Sequence, residues 1–145
     1  MFFRHRFQVN APLDKVTAFH SQSLGMAAIT PPPLTVQLHH APPLLKEGDT
    51  MDFSLKLGPF SIRWLAHIEG VTSAGFTDRQ LRGPFAEWVH QHKFSAANDN
   101  TTDVVDEITL RLSRDPIRFL LGLGMRLGLP FLFAFRAWKT RRLLA

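Results

Sequence analysis

Hydrophobic and polar positions alternate with period two through most of the stretch between residues 50 and 112. Met51, Phe53, Leu55 and Leu57 alternate with Asp52, Ser54 and Lys56, and Ile62, Trp64, Ala66 and Ile68 with Arg63, Leu65 and His67. Further on, Trp88, His90, His92 and Phe94 fall on one face, with Glu87, Val89, Gln91 and Lys93 on the other. Thr102, Val104, Asp106, Ile108, Leu110 and Leu112 share a face in the same way. Successive side chains of a strand point to opposite faces, so each run predicts a half-buried strand. The runs are separated by Glu47-Gly48-Asp49, Gly58-Pro59, Ser73-Ala74-Gly75, Gly83-Pro84 and Asn98-Asp99-Asn100. Turn signals spaced by roughly 10–14 residues predict an antiparallel meander. Phe3–Val9 and Thr35–His39 add two earlier strands, and His39-His40 before Ala41-Pro42-Pro43 reads as loop.

Two segments change period. Pro12 suits a first helical turn, and Leu13, Val16 and Phe19 follow at helical spacing, with Leu24–Ile29 a second short helix. Thr30-Pro31-Pro32-Pro33 stops this region. At the other end, Asp115-Pro116 is a cap followed by a proline suited to the first helical position. The helix it opens carries Leu120, Leu121, Leu123, Leu127, Leu129, Phe131 and Phe135, with Gly122, Gly124, Gly128 and Pro130 expected to weaken and bend it. The prediction is a single α+β domain over 1–145. A curved antiparallel sheet of about six to seven strands wraps a long C-terminal helix, with one or two short helices after the first strand. Such an arrangement leaves a space between sheet and helix.

Composition narrows the choice. The chain has 145 residues, enough for one self-sufficient core, and no cysteine, which removes disulfide and thiolate chemistry. Phe2, Arg4, His5, Arg6 and Phe7 give no apolar leader, and the apolar run Leu127–Phe135 lies between Arg126 and Arg136. That run is far below the ~20 residues of a spanning helix, so a soluble cytoplasmic protein is expected. A net charge of +5 raises the question of nucleic acid. The cations are scattered except near Met1 and at Lys139, Arg141 and Arg142, and no nucleic-acid motif is visible; no nucleic-acid partner is expected.

The chain resembles the SRPBCC superfamily, in particular the ligand-binding branch related to START domains and polyketide cyclase/dehydrases. The residues that carry the resemblance are Leu34 after Thr30-Pro31-Pro32, Gly48, Trp64 with Ile68, and Phe76, Asp78 and Gln80. Gly83-Pro84-Phe85, Trp88-x-His90-x-His92-x-Phe94, Thr102 and Asp106 follow, and then the terminal helix. The resemblance implies a helix-grip fold with a deep cavity for an apolar small molecule. It implies no single activity, because the fold hosts carriers, cyclases, dehydratases and regulators.

Two aromatics and two imidazoles pointing inward from one strand are an odd core but a reasonable cavity wall. The expected lining is Phe53, Trp64, Phe76, Gln80, Trp88, His90, His92, Phe94, Asp106, Ile108 and Phe131, and the expected ligand is a lipid, polyketide or aromatic metabolite. Asp106 lies on the strand next to His90 and His92, and a buried carboxylate needs a partner. The commonest use of a buried His–Asp pair is to tie strands together; recognition of a ligand head group comes next, then acid–base catalysis by His90, His92 and Asp106. Metal binding ranks last, and neither metal nor cofactor is expected. Asp78 and Gln80 either extend the polar patch or bond to a nearby turn. A non-catalytic carrier or sensor is the first reading. A cyclase, dehydratase or isomerase is the second. The third is an interaction module meeting a protein, or touching a membrane peripherally, through Arg126, Arg136, Lys139, Arg141 and Arg142 of the last helix.

Overall fold

The computed structural model describes residues Met1–Ala145. Strand β1 (Phe2–Val9) leads into helices α1 (Leu13–His20) and α2 (Ser23–Ala28). Strands β2 (Thr35–His40), β3 (Thr50–Leu57), β4 (Phe60–Thr72), β5 (Gly75–Arg82), β6 (Phe85–Asn98) and β7 (Thr101–Leu112) follow, then helix α3 (Pro116–Leu144). The seven strands form one sheet in the order β1-β7-β6-β5-β4-β3-β2. Every pairing is antiparallel. The meander runs from β2 to β7 in chain order, and β1 closes onto β7.

The strand alternation holds. Met51, Phe53, Trp64, Ala66, Ile68, Trp88, Ile108 and Leu110 are buried and pack with Leu129 and Phe133 of α3 in one core cluster. Phe7, Val9, Val16, Phe94, Val104 and Ala137 form a second. One expectation fails at β2. His39 and His40 end this strand rather than a loop, and the His39 ring lies 2.7 Å from the Ser54 hydroxyl.

Two glycines set the geometry near the site. Gly75 has φ +136°, and a Cβ there would collide with the His92 carbonyl oxygen, so only glycine lets β5 begin this close to β6. At Gly122 an added Cβ would meet Leu112 and Phe85 at 3.2 Å, so its absence lets α3 lie close against the sheet.

Helix α3 is 29 residues long and runs unbroken through Pro130. Its start is as the sequence indicates: the Asp115 side chain accepts from the Arg118 amide at 2.9 Å, with proline in the first turn. Gly122, Leu129, Phe133, Ala137 and Thr140 form its buried face. The helix packs against β1, β7 and β6, leaving β3, β4 and β5 to face an open interior.

Candidate functional site

That interior is a cavity of about 870 Å³, lined by 35 residues of which 23 are hydrophobic. Its volume falls in the range of small-molecule sites. Trp64 is the centre of its aromatic wall. Its ring stacks on Phe53 at 6.0 Å and meets Phe85 and Trp88 edge-on at 6.0 and 5.3 Å.

The wall is polar at one place. Asp78, His90 and His92 line the cavity from β5 and β6, and Asp106 stands behind them on β7. In register, Asp78 lies opposite His90 and Asp106 opposite His92. The hydrogen bonds run along the diagonals instead. His90 Nε2 donates to Asp106 Oδ1 at 2.8 Å, and His92 Nε2 donates to Asp78 Oδ2 at 2.6 Å. The two imidazoles stack at 3.7 Å, which leaves each Nδ1 at 3.5 Å from the other carboxylate. Four side chains thus form a closed, crossed cluster, with Phe76 stacked on the free face of His92 at 4.3 Å.

Electrostatics set the protonation of this cluster. Burial pushes the His90 pKa down, and the neighbouring His92 adds to the effect, while Asp78 and Asp106 oppose it. At Asp106 burial alone would raise the pKa, but the His90 hydrogen bond and the charges of His90 and His92 hold it at about 2. Asp78 is likewise held below the usual carboxylate range, its burial outweighed by His90 and by the His92 hydrogen bond. At neutral pH the cluster therefore holds two carboxylates and a neutral His90.

Two further groups approach it, and both escaped the sequence reading. The Arg136 guanidinium reaches into the cavity from α3 and lies over the Phe133 ring at 5.1 Å. Its Nε has no hydrogen-bond partner, and burial lowers its pKa against the pull of Asp106 and Asp78. The sequence grouped Arg136 with the surface cations. The corrective signal was its spacing: it follows Leu129 by seven positions and Phe133 by three, and so shares their face. His20, at the end of α1, packs at a tilt against Phe94, ring centroids 4.7 Å apart, and bonds the Val16 carbonyl at 2.9 Å. Burial lowers its pKa to about 4. A void of about 20 Å³ behind the cluster is bordered by His20, His92, Asp106, Arg136 and Thr140.

The other expected lining residues divide. Phe53, Trp64, Phe76, Trp88, His90 and His92 do line the cavity. Phe94 and Ile108 are buried in the core beside it, and Asp106 reaches it through His90. Gln80 does not take part: its side-chain amide bonds both the amide and the carbonyl of Phe85, closing the β5–β6 turn. Phe131 is corrected outright. It is 81% exposed on the outer side of α3, because Leu129, Leu132 and Phe133 take the inward positions.

Metal chemistry has one arrangement to consider. One donor atom each of Asp78, His90 and His92 lie within 4.8 Å of one another. The stacked rings direct their lone pairs in parallel planes, however, and both Nε2 atoms are engaged by carboxylates. An ion held with those bonds intact would have to use the Nδ1 atoms, each 3.5 Å from a carboxylate oxygen.

The chain superimposes on the Zhui aromatase/cyclase from Streptomyces sp. R1128 with a TM-score of 0.65 at 19% identity, covering 100% of this chain and 96% of that one. Against ginseng major latex-like protein 151 from Panax ginseng the TM-score is 0.69 at 12% identity, covering 99% and 97%. Against TTHA0849 from Thermus thermophilus it is 0.71 at 14% identity, over all of both chains. These structures share this chain's fold, a curved seven-stranded antiparallel sheet gripping a long C-terminal helix: the helix-grip fold. No protein-family profile matches the chain, and no curated protein matches it in sequence. The SRPBCC likeness therefore rests on the path of the backbone, and the reading of the site rests on this chain's own residues.

Proposed function

We propose that this chain is a cytoplasmic carrier or sensor that binds a hydrophobic small molecule in the helix-grip cavity, without catalysis. The observation that carries the reading is the cavity itself. About 870 Å³ of space is walled by Trp64, Phe53, Trp88 and aliphatic side chains, with polar groups gathered at His90, His92, Asp78 and Arg136. An apolar body with a polar group at one end matches that wall. The unpartnered Arg136 favours a ligand whose polar group is a carboxylate, phenolate or carbonyl oxygen.

A second reading has a specific observation behind it. A buried imidazole whose pKa is lowered is a free base at neutral pH, and His90 meets that description beside the cavity. Cyclisation or dehydration of an oily carbonyl substrate would use such a base, and one structure of similar fold is an aromatase/cyclase. The carrier reading is preferred because the one unbonded nitrogen of His90, Nδ1, lies 3.5 Å from the Asp78 carboxylate, and the ring is stacked on His92.

Native mass spectrometry of gently purified protein, followed by identification of what denaturation releases, tests the proposal. A stoichiometric apolar adduct is expected. Protein that stays empty after exposure to a broad lipid and aromatic-metabolite extract would overturn the reading.

A further inference from the structure

The outer side of α3 is built against expectation for a helix facing water. Positions 117, 120, 121, 124, 127, 128, 131, 134, 135 and 138 recur at helical spacing and carry no charge and no hydrogen-bonding group except the Trp138 indole. The buried face, at Gly122, Leu129, Phe133, Ala137 and Thr140, lies on the opposite side of the same helix. Ile117 is 79% exposed, and Leu120, Leu127, Phe131 and Trp138 are exposed with it. A surface helix ordinarily shows polar residues there, and contiguous exposed apolar area marks an interaction site.

The stripe continues into the cavity mouth. Ile117, Leu120 and Leu121 are both exposed and cavity-lining, as are Leu57 and Phe60 at the facing β3–β4 turn. Phe60 is 72% exposed. The polar cluster sits at the other end: along β4, Phe60 lies about 25 Å from Ile68, which pairs with Asp78. One apolar surface therefore joins the cavity rim to the length of the helix.

Charge decides what covers it. Between Pro116 and Ala145 there is no Asp or Glu, whereas Lys139, Arg141 and Arg142 border the stripe at its C-terminal end. Arg142 lies over the Trp138 ring at 5.3 Å, an aromatic–cation pair of the kind that sits well at a lipid headgroup boundary. A second copy of this chain fits poorly. Parallel pairing of two stripes would set Lys139, Arg141 and Arg142 against themselves, and antiparallel pairing would set them against Arg118, with no helix carboxylate to offset either. Spanning a bilayer is also disfavoured. The helix is long and apolar enough by length and composition, but insertion would withdraw Leu129 and Phe133 from the core and take Arg136 into lipid.

We propose that the outer face of α3 and the β3–β4 turn dock in the plane of an anionic phospholipid bilayer, with the cavity mouth against the lipid. The docked helix buries its apolar stripe at the acyl boundary while its flanking cations meet anionic headgroups. Combined with the binding reading above, on which this last clause rests, a hydrophobic ligand then passes between membrane and cavity without crossing water.

The test is flotation of the full chain with vesicles of phosphatidylcholine, with and without phosphatidylserine. Binding is expected to the serine-containing vesicles, weaker without serine, and weakened by salt. Leu127→Asp and Phe131→Asp, both at exposed positions, should each reduce binding roughly tenfold or more while leaving thermal unfolding unchanged. Lys139→Gln with Arg142→Gln should lower binding to serine-containing vesicles only, Arg141 being left in place because its guanidinium bonds the Gln8 carbonyl of β1 at 2.8 Å. An Ala66→Phe variant that takes up part of the cavity should still float, which separates failure of docking from failure of the ligand reading. The proposal is overturned if the wild type does not float, if it floats equally on both vesicles, or if Phe131→Asp leaves flotation intact. It is also overturned if the wild type is a dimer in solution that Phe131→Asp makes monomeric.

Discussion

His90 bonds Asp106, a residue it does not face: its strand partner across β6–β7 is Ile108, and the carboxylate reaches it along the diagonal from the position opposite His92. The same offset relates His92 to Asp78 on the other side. Each imidazole is thereby tied to one neighbouring strand and stacked on the other ring. This makes the cluster a fastening across β5, β6 and β7 as well as the polar end of the cavity. Asp106→Asn replaces a charge-assisted bond inside the core with a neutral one. The expected loss, the difference between a charged and a neutral hydrogen bond, is about 1–2 kcal/mol in chemical denaturation, and an unchanged midpoint would contradict the fastening role.

Binding and catalysis separate on the two histidines. For a carrier, His90→Gln with His92→Gln should leave affinity for an apolar ligand within a few-fold, measured by titration calorimetry. An acid–base enzyme would instead lose turnover by ~10²–10⁴.

Arg136 is expected to read the ligand's polar group. Arg136→Met, which keeps much of the apolar stem, should weaken binding of an anionic hydrophobe by roughly ten- to a hundredfold, in line with loss of a charged hydrogen bond. Binding of the corresponding neutral alcohol should change little. Equal losses for both would place Arg136 in packing alone.

Stability should fall with acid in two stages. His20 and His90 have folded pKa values below the ordinary 6.5, so the unfolded chain binds more protons than the fold does in that window. Their neutral forms stabilise the fold fully above about 6.5, and the contribution is lost as pH falls toward the His20 value of about 4. Asp78 and Asp106, held below the ordinary 3.8, add a second loss below that value. The slope per group cannot exceed about 1.4 kcal/mol per pH unit. Urea midpoints across this range should decline throughout, and His20→Gln should flatten the upper stage.

Much of this was legible in the chain because alternation reports burial directly. Trp88, His90 and His92 alternate with Glu87, Val89 and Gln91, and that pattern alone aimed both imidazoles inward; Asp106 on the next strand supplied the partner. What alternation does not report is which diagonal a side chain takes, so the Asp78–His92 bond was left open. Helix faces proved harder. Arg136 and Phe131 were each judged by residue type, a cation outward and an aromatic inward, and on α3 both rules invert. Arg136 follows Phe133 by three and is carried inside, while Phe131 belongs to the outer stripe with Leu127 and Trp138. Length misled too: the apolar run was measured between Arg126 and Arg136, but the helix passes through both. Gln80 was ambiguous for a local reason, since the Gly83-Pro84 turn offered it backbone partners at Phe85.

The most direct test of the account is calorimetric titration of 1-anilinonaphthalene-8-sulfonate, an anionic hydrophobe, into folded wild type and Ala66→Phe. Ala66 is buried and lines the cavity wall next to Trp64 and Ile68, so a phenyl group there occupies part of the ligand space. One site per chain is predicted for the wild type, and weaker binding at that site in Ala66→Phe with the far-ultraviolet dichroism unchanged. Equal binding by both proteins would contradict the claim that the helix-grip cavity is where this chain holds its ligand.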